Sequence, residues 1–276
     1  MSHLQTLLNT WPKRVASTPA GDMSYRLSGA IGASHTLVLL HGIGSASGSW
    51  LKQLAAAQQS PDVCVIAWDA PGYAQSAPVG QDRPNATEYA NRLLMLLQSL
   101  KIYSKITLVG HSLGTIVASR FALLSAERVK QLILLAPVQG FANATQEVRE
   151  KSLNQRLDAL KLLGPAGMAQ KRSPAMLTPD VSPDLMAYVQ ELMSAVIPSG
   201  YTQAAYLLAY SDLAIDLPQV SAPITIASGL LDLITPAQDC QYLAKLVGVD
   251  WVNLGNVGHA CPLQAEGRVN GLLGLN

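Results

Sequence analysis

Charge is what this sequence has least of. Charged residues fill 13% of its 276 positions, about half the usual share, while 49% are hydrophobic. A chain so poor in charge and so rich in apolar side chains is not intrinsically disordered. Net charge is +1 and no Lys/Arg run occurs, so the electrostatic footprint of a nucleic-acid binder is missing. The opening stretch "MSHLQTLLNTWPKRV" lacks a basic region followed by an apolar segment and a small-residue cleavage site, which argues against a signal peptide. No uninterrupted apolar run reaches membrane-spanning length, because the nearest, Ile106 to Leu124, is broken by "GHS" and Arg120. Cys64, Cys240 and Cys261 are odd in number and lack close metal-ligand spacing, so they read as reduced thiols. Repeats and low-complexity tracts are absent as well. The expectation is a cytoplasmic globular protein with no metal site and no nucleic-acid or membrane partner.

What is present is an alternation. "HTLVLLHG", "VCVIAWD", "KITLVG" and "QLILLAP" are short apolar runs, each separated from the next by a helical pattern. That order predicts an α/β fold, a mostly parallel sheet with helices on both faces. Ser49 is the expected N-cap of the helix starting at "SWLKQLAAA". "NATEYANRLLMLLQSL" opens with an Asn85-x-x-Glu88 capping box. Ahead of the first core strand, "RVASTPAGDMSYRLSG" predicts an antiparallel hairpin turning at "AGD". After Pro137 the rhythm stops, and only helical pieces occur before "PITIASG". The expected organisation is a core domain of residues 1–138 and 218–276, with a helical cap (lid) over 139–217.

"LVGHSLGT" carries the first chemical signal. Residues 110–114 fit G-x-S-x-G, a pattern that chance alone yields in about one chain in ten of this size. Its context is more specific, because Ser112 ends a strand and begins a helix. Such an elbow exposes the hydroxyl at the C-terminal edge of the sheet, with Gly110 and Gly114 permitting close backbone approach. A serine hydroxyl needs a base, and the base needs an acid to orient it. Of five histidines, His3 and His35 precede the core strands, His41 belongs to an "HG" loop and His111 adjoins the serine. His259, in "NVGHACPL" after the last strand, is the candidate base. Asp232 in "GLLDLITP" also follows a strand and is the candidate acid; Asp69, in "DAPGY", suits a turn-stabilising role. Backbone amides of Leu113, at a helix start, and of Ile43, in "HGIG", are the candidate oxyanion donors.

Together, "LLHGIG", "WDAPGYAQS", "VGHSLG" and the pair "GLLDLITP" and "GHA" make the chain resemble the α/β-hydrolase superfamily over nearly its whole length. The resemblance implies an α/β-hydrolase fold, a Ser112–His259–Asp232 triad in that fold's chain order, and hydrolysis without a cofactor beneath a cap. "DAPGYAQS" is similar to a segment of carboxylesterases, enol-lactonases and hydrolases that cleave C–C bonds of aromatic ring-fission products. It departs from them at Ala74, where many relatives carry glycine. A serine at the elbow argues against haloalkane dehalogenases and epoxide hydrolases, which carry aspartate there.

The leading expectation is an esterase-like serine hydrolase acting on a small apolar or carboxylated molecule. C–C bond hydrolysis or enol-lactone opening is the alternative; C–C cleavage usually needs a cation for the substrate carboxylate. Arg149, Arg156 and Arg172 are the candidates in the cap, against the plainer reading of solvated helix faces. Gly42, His41, Trp50 and His111 complete the expected pocket, although core packing suits Trp50 better. Met168, Met176, Met186, Met193, Tyr188, Tyr201, Tyr206 and Tyr210 line either the pocket or the seam between cap and core. A ligand-binding protein on a hydrolase scaffold would usually have lost a member of the triad, and none is missing. A homodimer is left open.

Overall fold

The structure, a computed structural model, describes residues 2–275. Eight strands form one sheet: β1 (Arg14–Ala16), β2 (Met23–Ser28), β3 (His35–Leu40), β4 (Val63–Trp68), β5 (Ile106–His111), β6 (Val129–Leu135), β7 (Ile224–Ser228) and β8 (Trp251–Asn253). Their order across the sheet is β1-β2-β4-β3-β5-β6-β7-β8. The hairpin β1–β2 and the β2–β4 pair are antiparallel and every other pair is parallel. The mostly parallel α/β sheet expected from the alternation is therefore present.

Period-two alternation explains why the strands look continuously apolar. Leu37, Leu39, Val65, Ala67, Ile133 and Leu135 point to one face, where α2 (Leu51–Ala57) and α11 (Glu266–Leu273) cover them. Val38, Leu40, Ile66, Trp68, Leu132 and Leu134 point to the other, under α3 (Ala86–Ser99), α4 (Leu113–Leu124) and α9 (Ala237–Leu246). The Asn85–Glu88 capping box closes the start of α3 as expected. Ser49 does not cap α2. It lies inside a 3-10 turn over Ser47–Trp50, and its hydroxyl donates to Ala46 O at 2.9 Å instead.

Between the neighbouring strands β6 and β7 the chain makes a helical excursion: α5 (Gln146–Met176), α6 (Pro183–Ser194), α7 (Pro198–Ala209) and α8 (Leu213–Asp216). α5 bends at Gly164, whose φ of 63° is left-handed, just before Pro165. Ala142 N–H to Ser211 O (3.0 Å) and Leu213 N–H to Gln139 O (2.7 Å) close the neck of the excursion. Tyr188, Leu192 and Met193 of α6 extend one apolar cluster, and Tyr201, Ala204 and Leu207 of α7 extend the other.

Sequence patterning gave no warning of α1 (His3–Leu8), a single amphipathic piece too short to show periodicity. It docks against α6, where the Asp184 carboxylate accepts from His3 N–H at 2.7 Å. Ala74 adopts φ 49°, so this turn takes the left-handed conformation in which glycine is unstrained. Among the described residues no helix is long and apolar enough to cross a membrane.

Candidate active site

Parallel strands place the ends of β3, β5, β7 and β8 along one sheet edge, and Ser112, Asp232, His259 and the Gly42–Ile43 peptide follow those ends. Ser112 is the hinge between β5 and α4, with φ 52° and ψ −119°. Such a backbone costs about 1–3 kcal/mol and persists only where its surroundings impose it. Here Ser112 N–H donates to Leu135 O at 3.0 Å, and the Thr115 amide and hydroxyl both donate to Ser112 O. A Cβ on Gly114 would lie 2.3 Å from Leu40 O, so only glycine lets the helix start this close to β3.

His259 and Asp232 meet below the surface. Nδ1 of His259 lies 2.8 Å from Asp232 Oδ2, with both side chains almost fully buried. The other carboxylate oxygen accepts from the amides of Ile234 (2.8 Å) and Thr235 (2.9 Å). Burial alone would raise the pKa of Asp232. The hydrogen bond and charge of His259, with those two amides, outweigh it and hold the carboxyl below its ordinary value. With Nδ1 committed to the carboxylate, Nε2 is the ring atom left to exchange a proton.

Thr235 is the residue that sequence reasoning passed over. Its hydroxyl donates to Asp232 Oδ2 at 2.9 Å and lies 3.2 Å from His259 Nδ1. A signal existed in Asp232-Leu-Ile-Thr235, where an Asp accepts from amides two and three residues on, the signature of an Asx turn.

Two peptide N–H groups flank the serine. That of Leu113 opens α4 and has no acceptor within the helix. That of Ile43 belongs to the Gly42–Ile43 peptide, whose carbonyl accepts from His41 Nδ1 at 2.8 Å and Ser45 N–H at 3.2 Å. In a trans peptide N–H and C=O point opposite ways, so these bonds orient the Ile43 N–H. A Cβ on Gly42 would fall 3.0 Å from Ser112 Cβ, which brings this peptide directly over the serine. Tyr73 Oη donates to Ile43 O at 2.7 Å and fixes the next peptide.

A cavity of about 110 Å³ lies between the sheet edge and the helical excursion. Ser112, His259, His111, Gly42, Ile43 and Leu113 form its floor. Met168, Met176, Met193 and Tyr201 line it from above, as do Arg156 and Arg172. Three expected pocket residues do not reach it. Trp50 is wholly buried in the core, edge-on to His111. His41 lies beneath the Gly42 loop, its Nε2 accepting from Ala70 N–H at 2.9 Å. Arg149 turns away, donating to Ala142 O at 3.1 Å and covering the Tyr210 ring. Met186 and Tyr188 pack in one apolar cluster and Tyr206 against a smaller one, while the exposed Tyr210 stacks on Tyr206. Asp69 is wholly buried and accepts from Ser24 Oγ and Ser47 N–H, both at 2.8 Å, so it ties loops together. Cys261, two residues beyond His259, is fully buried and its thiol is pushed well above its ordinary pKa, which disfavours the thiolate.

Known proteins share this architecture. The alpha/beta hydrolase family model matches residues 37–271. A pimeloyl-[acyl-carrier protein] methyl ester esterase of Vibrio cholerae is 30% identical over 78% of this chain and 83% of its own length. The 3-oxoadipate enol-lactonase 2 of Acinetobacter baylyi is 26% identical over 76% of each. Among solved structures, a thermophilic esterase from Thermogutta terrifontis superposes with a TM-score of 0.82 at 22% identity, covering 95% of this chain and 96% of that one.

Proposed function

Because the chain belongs to the alpha/beta hydrolase family, we propose that it is a serine hydrolase that cleaves a small ester through an acyl-enzyme. Ser112 is the nucleophile, His259 the general base and Asp232 the residue that orients it. The observation that carries this reading is the buried 2.8 Å contact between His259 and Asp232, at a cavity whose floor also holds the strained Ser112.

In the first half-reaction Oγ of Ser112 attacks the ester carbonyl while Nε2 of His259 takes its proton. Negative charge gathers on the carbonyl oxygen, where the N–H groups of Leu113 and Ile43 receive it. The tetrahedral intermediate collapses, His259 returns the proton to the leaving alkoxide, and an alcohol departs. Water, deprotonated by the same nitrogen, then attacks the acyl-serine; the acid leaves and Ser112 regains its proton. Asp232 stays ionised throughout, in keeping with its lowered pKa.

Names among the relatives support ester-type chemistry at such a site, one being a methyl ester esterase and another an enol-lactonase. The test is labelling with a fluorophosphonate probe together with turnover of a short p-nitrophenyl ester. Labelling and hydrolysis should both vanish in Ser112→Ala. Full activity in that variant would overturn the proposal.

A further inference from the structure

Two guanidinium groups border a cavity whose lining contains no carboxylate among the described residues. Arg156 and Arg172 approach it from the two arms of the bent helix α5, one on each side of Gly164. The rest of the upper lining is apolar, including Val138, Phe141, Met168, Val196 and Leu208. Neither arginine has an acidic partner among the described residues, where the ion pairs are Lys52–Glu266, Arg120–Asp216 and His259–Asp232.

Arg156 is held in a particular pose. Its Nη1 donates to the carbonyl and hydroxyl of Ser152, at 2.7 and 2.6 Å, and its guanidinium rests on the Phe141 ring. Nε is buried and has no protein partner. A guanidinium carries N–H donors in a planar fork, the arrangement that grips a carboxylate, and both Arg156 and Arg172 border the cavity. Burial lowers the pKa of Arg156, and the like charge of Arg172 adds to that effect. Two cations sharing a poorly hydrated cavity repel each other and want an anion between them.

Resting on the serine-hydrolase reading above, we infer that Arg156 and Arg172 form an anion subsite, and that the substrate is a small ester or lactone carrying a free carboxylate. The cavity sets the scale. At about 110 Å³ it has room for a small molecule. That suits a short acyl chain with its reacting carbonyl at Ser112 and its carboxylate at the arginines. A phosphate is the poorer match, since its remaining oxygens would face apolar side chains.

Matched esters test this directly. Wild type should hydrolyse monomethyl glutarate with a kcat/KM above that for dimethyl glutarate. Arg156→Gln and Arg172→Gln should each lower kcat/KM for the monoester about 10- to 100-fold more than for the diester, mainly through KM. Equal losses on both esters, or a wild-type preference for the diester, would overturn the subsite. A binding arm is independent of the chemistry: calorimetric titration of Ser112→Ala with glutarate. Binding that disappears when either arginine is also replaced supports the subsite even if Ser112 proves not to be the nucleophile. Absence of glutarate binding at millimolar concentration, or tighter binding of inorganic phosphate, would refute it. Arg172→Lys keeps the charge and serves as a second variant where Arg156→Gln compromises folding.

Discussion

His111 donates through Nε2 to the backbone carbonyl of His259 at 2.8 Å, so the residue before Ser112 holds the loop that carries His259. A carbonyl can only accept, which fixes the proton on Nε2 and leaves Nδ1 a bare acceptor, buried without a protein partner. His111→Ala should lower kcat about tenfold or more while changing KM little, because it loosens the placement of His259 rather than any contact to substrate. His111→Gln, which can restore an N–H near the same carbonyl, should recover part of the loss. If both variants kept wild-type kcat, His111 would be merely a packing residue.

The same histidine predicts a pH dependence of stability. Burial, reinforced by the neighbouring His259, lowers the pKa of His111 to about 3. In the unfolded chain it titrates near ~6.5. A lowered histidine pKa means that the unfolded state binds the proton first. Its contribution is therefore fully present above pH ~6.5 and declines as pH falls from ~6.5 towards ~3, by about 1.4 kcal/mol per pH unit. His41 shifts the same way, chiefly through burial, and adds to the slope. Denaturant melts across this window should be flatter by about one proton in His111→Gln. An unchanged slope would mean that His111 is already charged in the folded protein.

Thr235 offers a test of how Asp232 is held. Thr235→Val keeps the shape and the backbone amide but deletes the hydroxyl that bonds Asp232 Oδ2. The expected destabilisation is about 1–3 kcal/mol, the usual effect of leaving a buried polar atom short of a partner. The rate of fluorophosphonate labelling should fall with it, and Thr235→Ser should restore both. A valine variant that labels at the wild-type rate would remove Thr235 from the orienting network.

The sequence made the sheet readable because its strands are buried on both faces and stand out as uniform apolar runs. Ser112, Asp232 and His259 were readable for a related reason. Each lies in the connection that follows a parallel strand, so chain position alone assigns them to one sheet edge. The helical excursion between β6 and β7 resisted the same logic. Arg149, Arg156 and Arg172 sit on one helix with equal claims by sequence, and only the bend at Gly164 and the packing of α5 decide which two reach the cavity. His41 and Trp50 were assigned to the pocket by their nearness to "HGIG", yet both side chains point into the protein below it. Side-chain direction at a loop depends on local backbone angles that residue type does not specify.

Closure of the cavity depends on a contact between two glycines. Gly200, on α7, lies so near Gly72 in the loop after β4 that a Cβ on Gly200 would stand 2.0 Å from Gly72 O. Gln203, one turn further along, donates to Val79 O at 2.7 Å and Gln81 O at 2.8 Å, fastening the same helix to the same segment. Neither backbone can yield without lifting α7, and α7 carries Tyr201 and Leu208 into the cavity lining. Gly200→Ala should therefore destabilise the fold by about 1–3 kcal/mol, as overpacking does. It should also raise KM more than it lowers kcat, since Ser112, His259 and Asp232 stand on the sheet edge and not on α7. Probe labelling of Ser112 should survive in this variant. A melting temperature and KM both equal to wild type would show that the helix shifts without consequence, and that the seat of α7 does not shape the cavity.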